Sequence, residues 1–373
     1  MADPRKIVIA AGGTAGHVVP ALAVAGALRA DGARVTFIGG GRAEAELVPA
    51  AGFELHTLTV AGLPRSSPLR APRALALAAG ATVRARALLA RLAPDAVLGG
   101  GGYVAGPVGV AALSLRVPLV LSEADSHLGL TNRLLAPFAR RVCLAFPLAD
   151  RAGPRYVVTG RPIPPPAHDR ARARERFGIE SQETCVLVFG GSLGARSINL
   201  AALDAFAHAP FRVLHVSGVR DHPQLATRAL APGYDLRAYL DAPAFADALA
   251  AADLVVARAG GSVFEIAAHG LPAILVPYPH AAGDHQSANA RWMSDAGAAV
   301  TIPDRELSAA RLRAQVDALL ADRERLAAMA AAARRLARPD AAGEIALQLL
   351  QAAAVAGAGS SEERIAVGTE DGR

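Results

Sequence analysis

The chain has 373 residues, 52% hydrophobic and 19% charged, a balance that fills a large core and excludes a mainly disordered protein. Aromatic residues make up only 4%, which argues against stacking platforms for nucleic-acid bases. The net charge of +6 rests on arginine, because Lys6 is the only lysine among 39 basic residues; that excludes a Walker A loop and disfavours Schiff-base chemistry.

The N-terminal residues lead straight into an apolar run and lack the pattern of a signal peptide. Lys6–Ala10 reads as a strand, Gly12-Gly13-Thr14-Ala15-Gly16-His17 as a turn and 19–30 as a helix. Further strands are predicted at 34–38, 96–98, 118–121 and 142–144, separated by alanine-rich helical stretches. Apolar runs without alternation suit parallel strands covered on both faces. The best apolar stretch, 105–121, contains Arg116 and helix breakers, so no membrane span is expected. Cys143 and Cys185 match no metal spacing and read as buried thiols of a reducing compartment.

At Gly160-Arg161-Pro162-Ile163-Pro164-Pro165-Pro166 neither a helix nor a central strand can continue. A second series opens at Cys185–Phe189, followed by Gly190-Gly191-Ser192-Leu193-Gly194 and a helix. Its later strands are predicted at Arg212–Val216, Leu254–Ala257, 273–276 and 299–302, with helices over 311–354 and a polar tail. Two strand–glycine loop–helix starts, one per half, imply two tandem Rossmann-like domains. We place them at 1–160 and 161–338, with a helix at 339–355 packing back toward the first and a flexible tail at 356–373.

Glycine at a strand-to-helix turn lets a ligand approach the backbone, and the helix start offers N–H groups to an anion. The 12–17 and 190–194 turns have this form, as does Gly99-Gly100-Gly101-Gly102-Tyr103. Each also serves simply to relieve a tight turn. A dinucleotide site fits poorly: neither of the first two loops is G-x-G-x-x-G, and no acid ends the strand that follows. Around Arg258-Ala259-Gly260-Gly261-Ser262, small residues lead into a helix bearing Glu265. Backbone N–H groups, Ser262 and Arg258 suit a diphosphate, and Glu265 suits two ribose hydroxyls; an acid there also just favours a helix start. A polar loop with Tyr278, His280, Asp284, His285 and Gln286 follows the next strand.

With these residues assembled, the sequence resembles the bacterial family of lipid II-forming glycosyltransferases. The resemblance covers roughly Lys6 to Leu350 and rests on 12–20, 101–107, Gly129-Leu130-Thr131-Asn132, 190–199 and 265–289. It implies an α/β GT-B fold, two Rossmann-like domains facing each other across a cleft, and a reaction without metal or cofactor; the chain has no Asp-x-Asp. It implies transfer of GlcNAc from UDP-GlcNAc to the C4 hydroxyl of MurNAc in undecaprenyl-diphosphoryl-MurNAc-pentapeptide (lipid I), with inversion at the sugar. The donor-binding residues it implies are Thr14, Ala15, Gly16, Asp125 and Arg161, then Ser192, Gly194, Leu240, Arg258, Gly260, Gly261, Ser262, Glu265 and Gln286. Leu240 falls where the family contacts uracil through its backbone, Glu265 holds the ribose and Gln286 the sugar. His17, Tyr103 and Asn132 face the acceptor.

Inversion by single displacement needs a base on the acceptor hydroxyl. His17, at a helix start and expected to titrate near neutrality, is the candidate, with Glu123 and Asp125 as rivals. Helix capping or acceptor hydrogen bonding are plainer roles for His17. Ser122-Glu123-Ala124-Asp125 departs from the family's His-Glu-Gln-Asn, and Arg161 sits three positions before the family's hinge arginine.

A lipid acceptor implies a peripheral protein on the anionic cytoplasmic face of the plasma membrane, with cell-wall and division proteins as partners. Residues 69–92, with Arg70, Arg73, Arg84, Arg86 and Arg91 among Leu75, Leu77, Val83, Leu88 and Leu89, read as a basic amphipathic surface or as an ordinary surface helix. No motif supports nucleic-acid binding. The competing functions are another GT-B transferase with a lipid or natural-product acceptor, a hexosamine 2-epimerase, and a non-catalytic sugar-nucleotide-binding protein.

Overall fold

The computed structural model describes residues 3–60, 71–191, 193–228 and 230–368, with side chains at 71–76, 282 and 356–368 outside the description. The chain divides into two compact units, Met1–Ile163 with Asp340–Arg373, and Pro164–Pro339.

Among the described residues of the first unit seven parallel strands form one sheet. They are β1 (Lys6–Ala10), β2 (Arg34–Gly39), β3 (Glu54–Thr57), β4 (Ala96–Gly99), β5 (Leu119–Glu123), β6 (Arg141–Leu144) and β7 (Tyr156–Val158), in the order β3-β2-β1-β4-β5-β6-β7. Side chains of β1 alternate between two cores. Ile7 and Ile9 join Phe37, Leu98 and Val120 beneath α1 (Ala15–Ala30). Val8 and Ala10 join Ile38, Val97 and Leu121 beneath α3 (Ala71–Leu92) and α4 (Ala105–Ser114). Burial of both faces is what lets the strands be continuously apolar. Two shorter helices, α2 (Ala43–Ala50) and α5 (Leu130–Leu135), follow β2 and β5.

The second unit repeats the plan with β8 (Cys185–Phe189), β9 (Arg212–Val216), β10 (Tyr234–Arg237), β11 (Leu254–Ala257), β12 (Ala273–Leu275) and β13 (Ala299–Thr301) in the order β10-β9-β8-β11-β12-β13. Its helices are α6 (Arg170–Arg176), α7 (Arg196–Phe206), α8 (His222–Leu225), α9 (Ala242–Ala251), α10 (Val263–Ala268), α11 (His285–Asp295), α12 (Ala309–Ala321) and α13 (Arg323–Leu336). Ile198 and Leu203 of α7 and Leu312, Val316 and Leu319 of α12 cover one face of the sheet.

The last helix, α14 (Ala341–Gly368), returns to the first unit, where Ile345, Ala346, Leu349, Ala352 and Ala353 fill the core beside α1. It extends past residue 355, so much of the stretch expected to be a flexible tail is helical; 369–373 lie outside the described residues. Both cysteines are buried, which pushes each thiol up to about 12.

One further expectation needs correction. The first helix starts at Ala15 rather than near residue 19, with Pro20 inside it. In α3, Ala81, Ala85 and Leu89 are buried, the last two in the core beside α4, while Leu77, Val83, Arg84, Arg86 and Arg91 are exposed. Leu69 and Arg70 lie outside the described residues, as do the side chains of Arg73 and Leu75.

Candidate active site

In an open parallel sheet, ligands bind beyond the C-terminal strand ends where the strand order reverses. In the first unit that point lies between β1 and β4, so the 12–17 and 99–103 turns are neighbours. In the second it lies between β8 and β11, which brings the 190–194 loop beside the 258–262 turn.

Thr14 caps α1 with extended backbone and makes no side-chain capping bond; Thr14, Ala15 and Gly16 are exposed. The proline at position 20 has no N–H, so the Gly16 carbonyl loses its usual helical donor. Arg161 replaces it, with Nη2 donating to the Gly16 carbonyl at 2.7 Å and Nη1 to the Ala124 carbonyl at 3.3 Å. Arg161 therefore fixes the start of α1 against the loop after β5.

His17 occupies the third position of α1, half-buried. A Cβ at Gly101 would lie 2.7 Å from its Nδ1, so that glycine gives the ring its space. Burial pushes the imidazole below the ordinary histidine value, Arg161 pushes it further, and Asp125 opposes both. The expectation of titration near neutrality is thus corrected downward, toward the neutral imidazole.

The rival carboxylate Glu123, at the end of β5, is buried. It accepts from the Asp125 N–H at 3.1 Å, the Gly129 N–H at 2.8 Å and Asn132 Nδ2 at 3.0 Å. Burial pushes its carboxyl up, and those three donors only partly offset the rise. Asn132, also buried, gives Nδ2 to the Ser122 carbonyl as well, so both residues brace the 123–132 loop. Asp125 stays half-buried at that loop.

Sequence reasoning missed Glu44, in the first turn of α2, which is 0% exposed. Its Oε2 accepts from the Gly13 N–H at 2.9 Å, and its Oε1 from the Gly40 N–H at 2.8 Å and the Tyr103 hydroxyl at 3.0 Å. Burial pushes this carboxyl up, but the backbone N–H groups and the phenol outweigh it and hold the group below the usual carboxylate range. Tyr103, expected at the acceptor, spends its hydroxyl on Glu44, while the Arg42 guanidinium lies 5.3 Å from its ring centre. Nothing local distinguishes Glu44 from any acid in a helix's first turn.

In the second unit Gly191, Gly194 and Gly218 have positive φ, and a Cβ at Gly194 would collide with the Ser217 carbonyl. The glycines thus let the 190–194 loop close against the end of β9. Ser192 lies outside the described residues. Behind the loop runs a buried chain: Tyr234 Oη to His215 Nδ1 at 2.7 Å, His215 Nε2 to Asn199 Oδ1 at 3.0 Å, and Asn199 Nδ2 to both the Ser217 carbonyl and Asp221. Burial pushes His215 down to about 3.

Arg258 donates to Asp304 at 2.6 Å, to Ser197 Oγ at 2.9 Å and to the carbonyls of Val276 and Pro277. These bonds make it a buried brace of its turn. Gly260, Gly261 and Ser262 lead into α10, where Glu265 is half-buried in the first turn. Leu240 follows β10, and Gln286 Oε1 accepts from the Tyr278 N–H at 2.9 Å. Asn289 Nδ2 ties α11 to the Ala259 carbonyl. Among the described residues no group of three or more His, Cys, Asp or Glu is placed to hold a metal ion.

Two parallel-sheet units, each with a glycine loop at its switch point, and a C-terminal helix that returns to the first define the α/β GT-B fold. The chain belongs to glycosyltransferase family 28: residues 7–144 match the family's N-terminal domain and 185–345 its C-terminal domain. It is 43% identical over 355 residues to the UDP-N-acetylglucosamine–N-acetylmuramyl-(pentapeptide) pyrophosphoryl-undecaprenol N-acetylglucosamine transferase of Moorella thermoacetica, across 90% of this chain and 96% of that one. The protein of the same name from Methylococcus capsulatus is 44% identical over 365 residues, across 94% and 99%. The crystal structure of Acinetobacter baumannii MurG matches with a TM-score of 0.75 at 30% identity, over 93% of this chain and 100% of that chain.

Proposed function

We propose that this chain catalyses the reaction its relatives are named for, moving GlcNAc from UDP-GlcNAc to the C4 hydroxyl of MurNAc in lipid I to give lipid II. The near full-length identity to transferases of that name carries the reading. His17 is the base: it stands at the start of α1 in the 12–17 turn, and burial and Arg161 favour its neutral, proton-accepting imidazole. As the acceptor oxygen bonds to the anomeric carbon, its proton passes to His17. The bond from that carbon to UDP breaks on the opposite face, and the electron pair leaves with the diphosphate.

The leaving diphosphate is assigned to the 190–194 loop, with Ser192 and Gly194, where eleven-residue α7 begins nearby. Glu265 takes the ribose, the Leu240 backbone the uracil, Gln286 the sugar, and Gly260, Gly261 and Ser262 the nucleotide. Thr14, Ala15, Gly16 and Asp125 remain assigned to the donor. Arg161, Arg258, Tyr103, Glu123 and Asn132 act by holding these segments in place.

On this reading the first unit docks on the anionic cytoplasmic surface of the membrane. Leu134 is 63% and Phe138 69% exposed, and Leu130 is exposed beside them, flanked by Arg133 and Arg140. Exposed apolar side chains with exposed arginines next to them in the chain suit an interfacial contact. Among the described residues no helix is long and apolar enough to cross a membrane.

Mass-spectrometric detection of GlcNAc transfer from UDP-GlcNAc to a short-chain lipid I analogue, with EDTA present, tests the reading. A product heavier by one GlcNAc is expected. Saturable UDP-GlcNAc binding without product points to another acceptor or a non-catalytic role, and no nucleotide binding overturns the proposal.

A further inference from the structure

We infer that Glu44 is a positioning residue for glycosyl transfer, whose carboxylate holds the 12–17 turn in the shape that presents Thr14, Ala15, Gly16 and His17. The inference rests on the function proposed above. Among the described residues Glu44 has no ion-pair partner, and it is fully buried. A buried carboxylate without a cation costs stability unless hydrogen bonds replace its water. Here three donors from three different loops replace it: Gly13 after β1, Gly40 after β2 and Tyr103 after β4.

The surrounding glycines are shaped to this carboxylate. A Cβ at Gly12 would lie 2.7 Å from Oε1 and one at Gly39 2.8 Å from Cγ, while one at Gly40 would collide with the Tyr103 hydroxyl. A Cβ at Gly102 would in turn collide with the Gly12 carbonyl. The turn that leads into His17 is therefore closed from below by Glu44 and from the side by the 101–103 backbone. An apolar residue at position 44 would pack in the same space but would hold no N–H in place. The carboxylate converts three loops into one rigid platform immediately before the base.

The test compares the full chain with E44Q and Y103F. A glutamine keeps the shape but presents an NH2 group to one of the two backbone N–H donors, and Y103F removes the third bond alone. Hydrogen exchange of the peptide covering 12–17 is expected to accelerate in E44Q, and less in Y103F, with the thermal midpoint of the second unit unchanged. In transfer assays E44Q is expected to lose at least tenfold, and up to about 100-fold, in kcat/KM for UDP-GlcNAc. Donor KM rises and kcat falls, while UDP inhibition stays unchanged. A purely structural defect would instead lower the amount of active enzyme and leave donor KM as it was. Unaltered exchange at 12–17, or an unaltered donor KM with kcat within twofold of the parent, overturns the inference. A parent protein without turnover overturns the functional reading and the catalytic half of this inference; the exchange comparison then decides the structural half by itself.

Discussion

The loops after β1 and β8 both close by backbone-to-backbone contact with a neighbouring glycine, Gly102 against the Gly12 carbonyl and Gly218 against Gly194. What stands behind them differs. In the first unit an ionised carboxylate, Glu44, takes the Gly13 and Gly40 N–H groups directly. In the second, the carboxylate of Asp221 is held off by Asn199, which it reaches at 3.0 Å, and is matched by Arg220 at 3.2 Å and Arg196 at 3.9 Å. An anion brought to the first loop meets a negative charge behind the amides, whereas at the second that charge is already balanced. Two loops that look alike are thus electrostatically unlike.

The largest effect that sharpens this contrast is on turnover. His17→Ala should lower kcat by about 10²- to 10⁴-fold, the usual worth of a general base, with UDP affinity by calorimetry unchanged. A parallel loss of UDP affinity would break the division of labour between the units. Next come the glycines. Gly102→Ala and Gly194→Ala each place a Cβ at positive φ against a carbonyl, and each should cost its own unit roughly 2–4 kcal/mol in denaturant unfolding. Only Gly194→Ala should also weaken UDP binding.

Smaller shifts are expected in the pH profile. With His17 as the proposed base, activity is expected to fall as its imidazole is protonated, so the acidic limb of kcat/KM should lie below the ordinary histidine value. Arg161→Gln removes a neighbouring positive charge and should move that limb upward; Asp125→Asn removes a negative one and should move it downward. Limbs that stay put, or move together, would assign the titration to another group.

The mildest prediction concerns stability. An unfolded histidine binds a proton below about pH 6.5, but folded His215 does not until about 3. Proton binding therefore favours unfolding as pH falls through that interval, and the second unit should lose on the order of 1 kcal/mol per pH unit at the steepest point. Glu44 behaves differently: its carboxyl is held below the usual range, so its contribution persists until the pH falls under ordinary carboxylate values. Unfolding of the wild type and His215→Gln at pH 7 and pH 5 checks this, with a flatter pH dependence expected in the variant.

Much of this fold was legible in the chain. β1, β8, β9 and β11 coincide with the strands predicted, because each is an apolar run buried on both faces. The three strands that escaped notice, β3, β7 and β10, are all sheet edges. Glu54-Leu55-His56-Thr57 has no fully buried residue, so its sequence carries no apolar signature and its place is set by pairing with β2. The start of α1 was obscured by Pro20, which reads as a first-turn residue until Arg161, remote in sequence, is seen to satisfy the Gly16 carbonyl.

The sequence alone determined the α/β class, the two-unit plan, the glycine loops and the place of His17 and Glu265, since each depends on residues adjacent along the chain. Tertiary structure decided which of those groups are open and which are spent. Glu44 finds its partners 31 and 59 residues away, and Arg258 finds Asp304 46 residues away. Burial and a distant arginine shift the imidazole of His17 downward, against the pull of Asp125. Hydrogen bonding and desolvation act through space over a few ångströms, and only the packed chain brings those atoms within that range.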